Sequence, residues 1–228
     1  MLARVIRNRD IEGDEAIEKY LHGTIRDLYD PAFLKGSREA VLLLKDKIKG
    51  QMPIRVIGDY DADGICSSYI LKRGLEACGA VVDTMIPHRM KDGYGLNEHL
   101  VDEAYADGID TILTCDNGIA AYAQIEQAKK YGMTVIITDH HEIPYEEEPL
   151  AEPDPETGET SRRRYKIPPA DVVIDPKQPG DTYPFQEICG AVVAFKLMQL
   201  LFAEFGFDGI STDLTSGKRS LLLSLIHI

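Results

Sequence analysis

No stretch of this 228-residue sequence approaches the roughly 18 consecutive apolar residues that a bilayer-spanning helix requires. Asp10, Glu12, Asp14 and Glu15 follow closely behind Met1, which is not the basic and then apolar pattern of a secretory signal. A membrane role is set aside and a cytoplasmic location is expected. Cysteine pairing is lacking too: Cys66, Cys78, Cys115 and Cys189 are scattered through apolar segments with no CxxC spacing. That usage fits reduced, buried thiols and argues against a zinc knot or a disulfide framework. Positive charge is scarce, with 25 Lys and Arg against 38 Asp and Glu and a formal charge of -13. Such a chain does not coat nucleic acid by bulk charge. A nucleic-acid enzyme stays open, because metal ions and a local basic groove can grip phosphate while the metal ligands themselves supply part of the negative total.

The chain is long enough to bury a substantial core, and its pattern changes near residue 50. Residues 1–50 read as a helical leader: Ile11 to Leu21 carries apolar positions at helical spacing, and Ser37 is expected to cap a second helix through Ala40, Val41, Leu44 and Ile48. From Ile54 onward short apolar runs alternate with helical stretches. Strands are predicted at Ile54–Ile57, Val81–Ile86, Thr111–Thr114, Thr134–Ile137 and Val172–Ile174. Helices are predicted at Ile65–Ala77, Asn97–Ala106, Ala120–Tyr131 and about Glu187–Phe205. The alternation implies an α/β fold with a mostly parallel sheet flanked by helices. The last helix is apolar nearly all round and should be deeply buried. Residues 144–169, rich in proline with an acidic run Glu146–Glu148 and a basic run Arg162–Arg164, read as an exposed insertion loop whose charges offset each other.

The chemistry gathers where a parallel sheet places its sites, outside the carboxyl ends of the strands. Asp59, Asp61 and Asp63 alternate in Gly58–Gly64 directly after the first strand, Asp116 follows the third, and Asp139-His140-His141 follows the fourth. Each piece has a plainer reading. Asp63 before Gly64 could be only a helix cap, and Asp116-Asn117-Gly118 only a turn. Cys115 reads as strand core, not as a nucleophile. Together, crowded carboxylates cannot all stay ionised without cations, and oxygen-rich ligands with an imidazole suit manganese or magnesium better than zinc.

The blocks GDYDADG (Gly58–Gly64), CDNG (Cys115–Gly118) and DHH (Asp139–His141) resemble the first three motifs of the DHH phosphoesterases. Pro87-His88-Arg89 leading to Gly93–Asn97, Asp175–Gln178, Tyr183–Phe185 and Cys189-Gly190-Ala191 are similar to the RecJ group of single-strand-specific exonucleases. The resemblance implies a site for Mn2+ or Mg2+, two ions in the complete enzyme, with Asp61, Asp63, Asp116 and His140 as ligands and Asp116 shared. It makes His141 the catalytic group facing the scissile phosphate, gives Asp59 and Asp139 supporting catalytic roles, and makes His88 and Arg89 substrate contacts. The implied reaction is hydrolysis of single-stranded DNA from its 5′ end in repair and recombination, with other replication or repair proteins as further partners.

The same resemblance makes residues 51–222 a catalytic domain that stops before a fourth motif, a weakly active or inactive fragment, with residues 223–228 a non-native tail. Two other readings stay open: a DHH phosphoesterase for small substrates such as short oligonucleotides, cyclic dinucleotides or pyrophosphate, and a non-catalytic scaffold of the same fold.

Overall fold

The computed structural model describes residues 2–9, 11–24, 27–88, 90, 93, 95–150 and 160–207. The chain divides into two compact units, Met1–Asp30 and Pro31–Ile228. The first holds helices α1 (Leu2–Arg7) and α2 (Asp14–His22). Helix α3 (Ser37–Lys49), which the sequence pattern groups with the leader, lies in the second unit. Ser37 is not its cap. Gly36 takes that place at φ 82°, where a Cβ would stand 2.4 Å from the Val173 carbonyl oxygen, and the Ser37 hydroxyl instead donates to the Pro31 carbonyl.

Strands β1 (Ile54–Ile57), β2 (Val82–Met85), β3 (Thr111–Cys115) and β4 (Thr134–Thr138) alternate with helices α4 (Ala62–Ala77), α5 (Glu98–Ala106) and α6 (Tyr122–Lys130). After an antiparallel pair, β5 (Tyr145–Pro149) and β6 (Ser161–Tyr165), come β7 (Val172–Ile174) and helix α7 (Gly190–Glu204). The main sheet is a five-stranded parallel sheet in the order β2-β1-β3-β4-β7. Its central strands are buried along their length, as expected when helices cover both faces.

Alternation of side chains decides which helix covers which face. Ile57, Ile112, Val135 and Ile137 pack with Leu100, Val101, Ala104, Ile125 and Ala128 of α5 and α6. On the other face Cys115 meets Ser68 of α4, Sγ to Oγ 3.4 Å, and α4 packs on α7. That contact is close: a Cβ on Gly74 would stand 2.4 Å from the Met198 sulfur. Helix α7 is buried on nearly every side, Lys196 included.

Two sequence expectations change. Helix α4 starts at Ala62 instead of Ile65, because the Asp61 carboxylate accepts a hydrogen bond from Gly64 N at 2.9 Å and caps it; Asp63 lies inside the first turn. The expected insertion loop is in its described part a hairpin. Its charges are the reason: Glu146, Glu147 and Glu148 stand opposite Arg164, Arg163 and Arg162, Arg162 pairs with Glu148 at 2.8 Å and Lys166 with Glu146 at 2.5 Å. Among the described residues no helix is long and apolar enough to cross a membrane.

Ile112 is fully buried in the layer under α5 and α6. Ile112→Ala should cost about 2–5 kcal/mol, whereas Leu42→Ala, at an exposed position of α3, should stay within about 0.5 kcal/mol; urea denaturation of the two variants checks both.

Candidate metal centre

The order of strands reverses at β1, which has β2 on one side and β3 on the other, and such a reversal opens a crevice at the carboxyl edge. Asn117 ties that edge together, donating from Nδ2 to the carbonyls of Ile57 at 3.1 Å and Cys115 at 2.9 Å. Asp116 adopts the left-handed conformation, φ 59°, which aspartate tolerates better than most residues.

Asp116 is buried, and its Oδ1 lies 3.0 Å from His140 Nε2. Burial raises its pKa to about 6, His140 opposing the rise and the charge of Asp63 adding to it. The hydrogen bond to Asp116 in turn raises the pKa of His140. Asp63 Oδ2 is 3.5 Å from the same imidazole nitrogen. Asp63 is also held by α7, whose first amides, Gly190 N and Ala191 N, each donate to one of its oxygens at 2.7 Å. The positive end of that helix favours the charge. Only glycine fits at 190, since a Cβ there would stand 2.7 Å from Asp116 Oδ1 and 2.8 Å from Asp116 Cβ.

Asp139 is buried beneath the two histidines and takes hydrogen bonds from Ile119 N, His140 N, His141 N and the His141 ring. The ring contact, Nδ1 to Oδ1 at 2.7 Å, raises the His141 pKa to about 9, so this imidazole is cationic at neutral pH. The stability it contributes is complete below its ordinary pKa of 6.5 and is lost as pH rises through about 9.

Ligand atoms of Asp116, His140 and His141 lie within 4.8 Å of one another. Asp116 Oδ2 and both oxygens of the fully buried Asp59 have no hydrogen-bond partner among the described residues. Orphaned buried carboxylate oxygens call for a proton or a cation, and oxygen donors with imidazole fit Mn2+ or Mg2+. Asp63, Asp116, His140 and His141 are therefore brought together, with Asp139 behind them. Asp61 is exposed and joins through its cap on α4 and its field on Asp116. His88 is exposed, its Nδ1 accepting from Met90 N at 3.3 Å. Arg89 lies outside the described residues.

Asp175 enters the sequence reading only within the Asp175–Gln178 block, with no site role assigned to it. It follows β7 as Asp116 follows β3, is fully buried, accepts Lys177 N at 2.8 Å through Oδ1, and has no partner for Oδ2 among the described residues. Burial raises its pKa to about 7, with the charge of Asp139 adding to the rise. The repeated pattern of a short apolar strand followed at once by aspartate was the signal available for it.

The chain matches the model of the DHH family, N-terminal domain, over residues 53–217. It is 39% identical over 204 residues to the single-stranded-DNA-specific exonuclease RecJ of Bacillus subtilis, covering 90% of this chain and 23% of that protein. With the enzyme of the same name from Thermus thermophilus it shares 37% identity over 200 residues, 85% of this chain and 26% of the relative. The chain thus spans about a quarter of the length of these relatives. Among solved structures it is similar to exonuclease RecJ bound to manganese, with a TM-score of 0.62 at 36% identity over 76% of this chain and 39% of the other. RecJ from Thermus thermophilus in complex with Mn2+ gives a TM-score of 0.58 at 30% identity, over 89% and 27% of the two chains.

Gly190→Ala should push α7 off Asp116 and weaken Mn2+ binding by about tenfold or more, as loss of groups supporting a metal ligand does; calorimetric titration with Mn2+ measures it. In the metal-free protein, Asp139→Asn should bring the His141 midpoint from about 9 toward 6.5, read from the imidazole proton shifts in NMR.

Proposed function

The chain belongs to the DHH family, and from that premise we propose that it carries the catalytic centre of a metal-dependent, RecJ-like exonuclease that digests single-stranded DNA from its 5′ end. The observation that carries the proposal is the meeting of His140 with Asp116 at 3.0 Å and Asp63 at 3.5 Å at the carboxyl edge of the sheet. Residues 51–222 are assigned as the catalytic domain, supported by the family match over 53–217, and residues 1–50 as a helical leader whose last helix, α3, shares the compact unit Pro31–Ile228 with that domain. Repair and recombination, a cytoplasmic location and contacts with other repair proteins belong to the same reading.

In this reading Asp61, Asp63, Asp116 and His140 would hold Mn2+ or Mg2+, Asp116 being the residue assigned to both of two ions. Bound there, the ions supply Lewis acidity toward a phosphoryl oxygen and lower the pKa of water. The other tasks fall to the protein. Asp63 is aimed by the two amides of α7. Asp139 sets the imidazole of His141 and keeps it protonated, so that His141 can donate to a phosphate oxygen as negative charge builds up there. Asp59, a fully buried carboxylate two residues before Asp61, is assigned to tune the cluster. His88 and Arg89 are assigned to the substrate backbone.

The test is Mn2+-dependent release of nucleotides from 5′-labelled and 3′-labelled single strands. The chain is expected to be weakly active, so mononucleotide should appear slowly and first from the 5′ label, and Asp116→Ala should lower even that rate more than about a hundredfold, beyond the loss typical of a group that merely supports a ligand. Release from neither label, together with hydrolysis of a dinucleotide, would shift the assignment to a small-substrate phosphoesterase.

A further inference from the structure

Beyond the metal cluster, one cation stands out at the carboxyl edge. Lys177 lies two residues past Asp175, its backbone fixed by the hydrogen bond to the Asp175 carboxylate at 2.8 Å. Its side chain is only 18% exposed, and the ammonium stands 2.9 Å from Glu142 and 3.8 Å from Glu187, whose side chains are 86% and 73% exposed. Glu142 directly follows His141, and both line a cleft of about 340 Å³ walled by Leu96 and Ile119.

We propose that Lys177 grips a backbone phosphate of a single strand passing His141, with Glu142 and Glu187 holding the ammonium in position until the phosphate displaces them. The inference rests on the single-strand reading above and adds a contact to it. A largely covered lysine whose counter-ions are exposed carboxylates is poised for exchange. Ion pairs of that kind contribute little, whereas a phosphate offers several acceptor oxygens and a stronger charge-assisted hydrogen bond. The need for such a group follows from the charge of the edge. Exposed carboxylates such as Asp61 repel a polyanion, and a net charge of -13 gives no long-range attraction, so a local cation beside the cleft favours the approach. Glu142 also raises the pKa of Lys177, keeping it charged throughout the working range.

A purely structural clasp between Glu142 and Glu187 would look the same at rest, and salt dependence separates the two. Binding of a fluorescent oligothymidylate to the protein is measured in Ca2+ across a range of salt concentrations, alongside the thermal melt of each variant. Lys177→Met should weaken binding about tenfold at low salt and lower the slope of log affinity against log salt by about 0.7, the loss of one single-strand phosphate contact. Lys177→Arg should keep the slope. Glu142→Gln combined with Glu187→Gln leaves the lysine in place and should strengthen binding, which keeps the inference testable if Lys177→Met melts early. An unmoved slope in Lys177→Met, or unchanged or weaker binding by the double variant, overturns the role of Lys177 while leaving the single-strand reading intact. Failure of the unsubstituted protein to bind the oligonucleotide would overturn both.

Discussion

Carboxylates of like charge, taken out of water and set side by side, are the constraint to which the carboxyl edge of this sheet answers. Asp59, Asp116, Asp139 and Asp175 each follow a strand of one parallel sheet by no more than two residues, and all four are buried. Parallel strands end on the same edge, so the topology that builds the core also concentrates the charge. Leaving such groups ionised and unpaired is expensive. Asp139 is satisfied completely by backbone amides and an imidazole. Among the described residues Asp116 Oδ2 and both Asp59 oxygens have no hydrogen-bond partner, and burial raises the pKa of Asp116. Protein groups answer part of the repulsion, and the remainder defines where a cation belongs.

Close backbone packing makes the arrangement possible. A Cβ on Gly64 would stand 2.6 Å from the backbone nitrogen and carbonyl oxygen of Asp59, and one on Gly58 would stand 1.9 Å from Ser68 Oγ. The turn after β1 is therefore compact enough to fold the backbone of Asp59 against Gly64 only because both glycines lack side chains. Asn117 performs the equivalent task for β3 by joining its end to that of β1.

Much of this was legible because period and position carry independent information. The strands Ile54–Ile57 and Val172–Ile174 fall where the apolar runs predict them, since β-branched residues between turn formers leave little alternative. Asp63, Asp116, His140 and His141 were readable as a group because all follow strands, although nothing in their spacing revealed that α7 would reach back to hold Asp63. The start of α4 was misplaced because a motif rich in aspartate reads as loop, while in space Asp61 caps and Asp63 joins the first turn. The cap of α3 was misassigned because serine has the stronger general preference, and crowding by Val173 selects Gly36 instead. Glu146–Glu148 and Arg162–Arg164 looked like solvated loop because each run is too polar to signal a strand; pairing opposite signs across the ladder is what orders them.

The most apolar helix of the chain ends up serving its most charged region, and packing explains why. α7 is seated on α4 through the close approach at Gly74 and Met198. α4 begins at the aspartate turn itself. Fixing one helix against the other brings the amide-bearing end of α7 onto Asp63 while the positive end of α4 faces Asp61. Two helix dipoles thus converge on one acidic cluster, each favouring negative charge at its first turn, and a shift in the buried contact between the helices would move the amides that aim Asp63. The geometry of the centre is in this sense an outcome of core packing, set by a glycine and a methionine well away from the carboxylates they align.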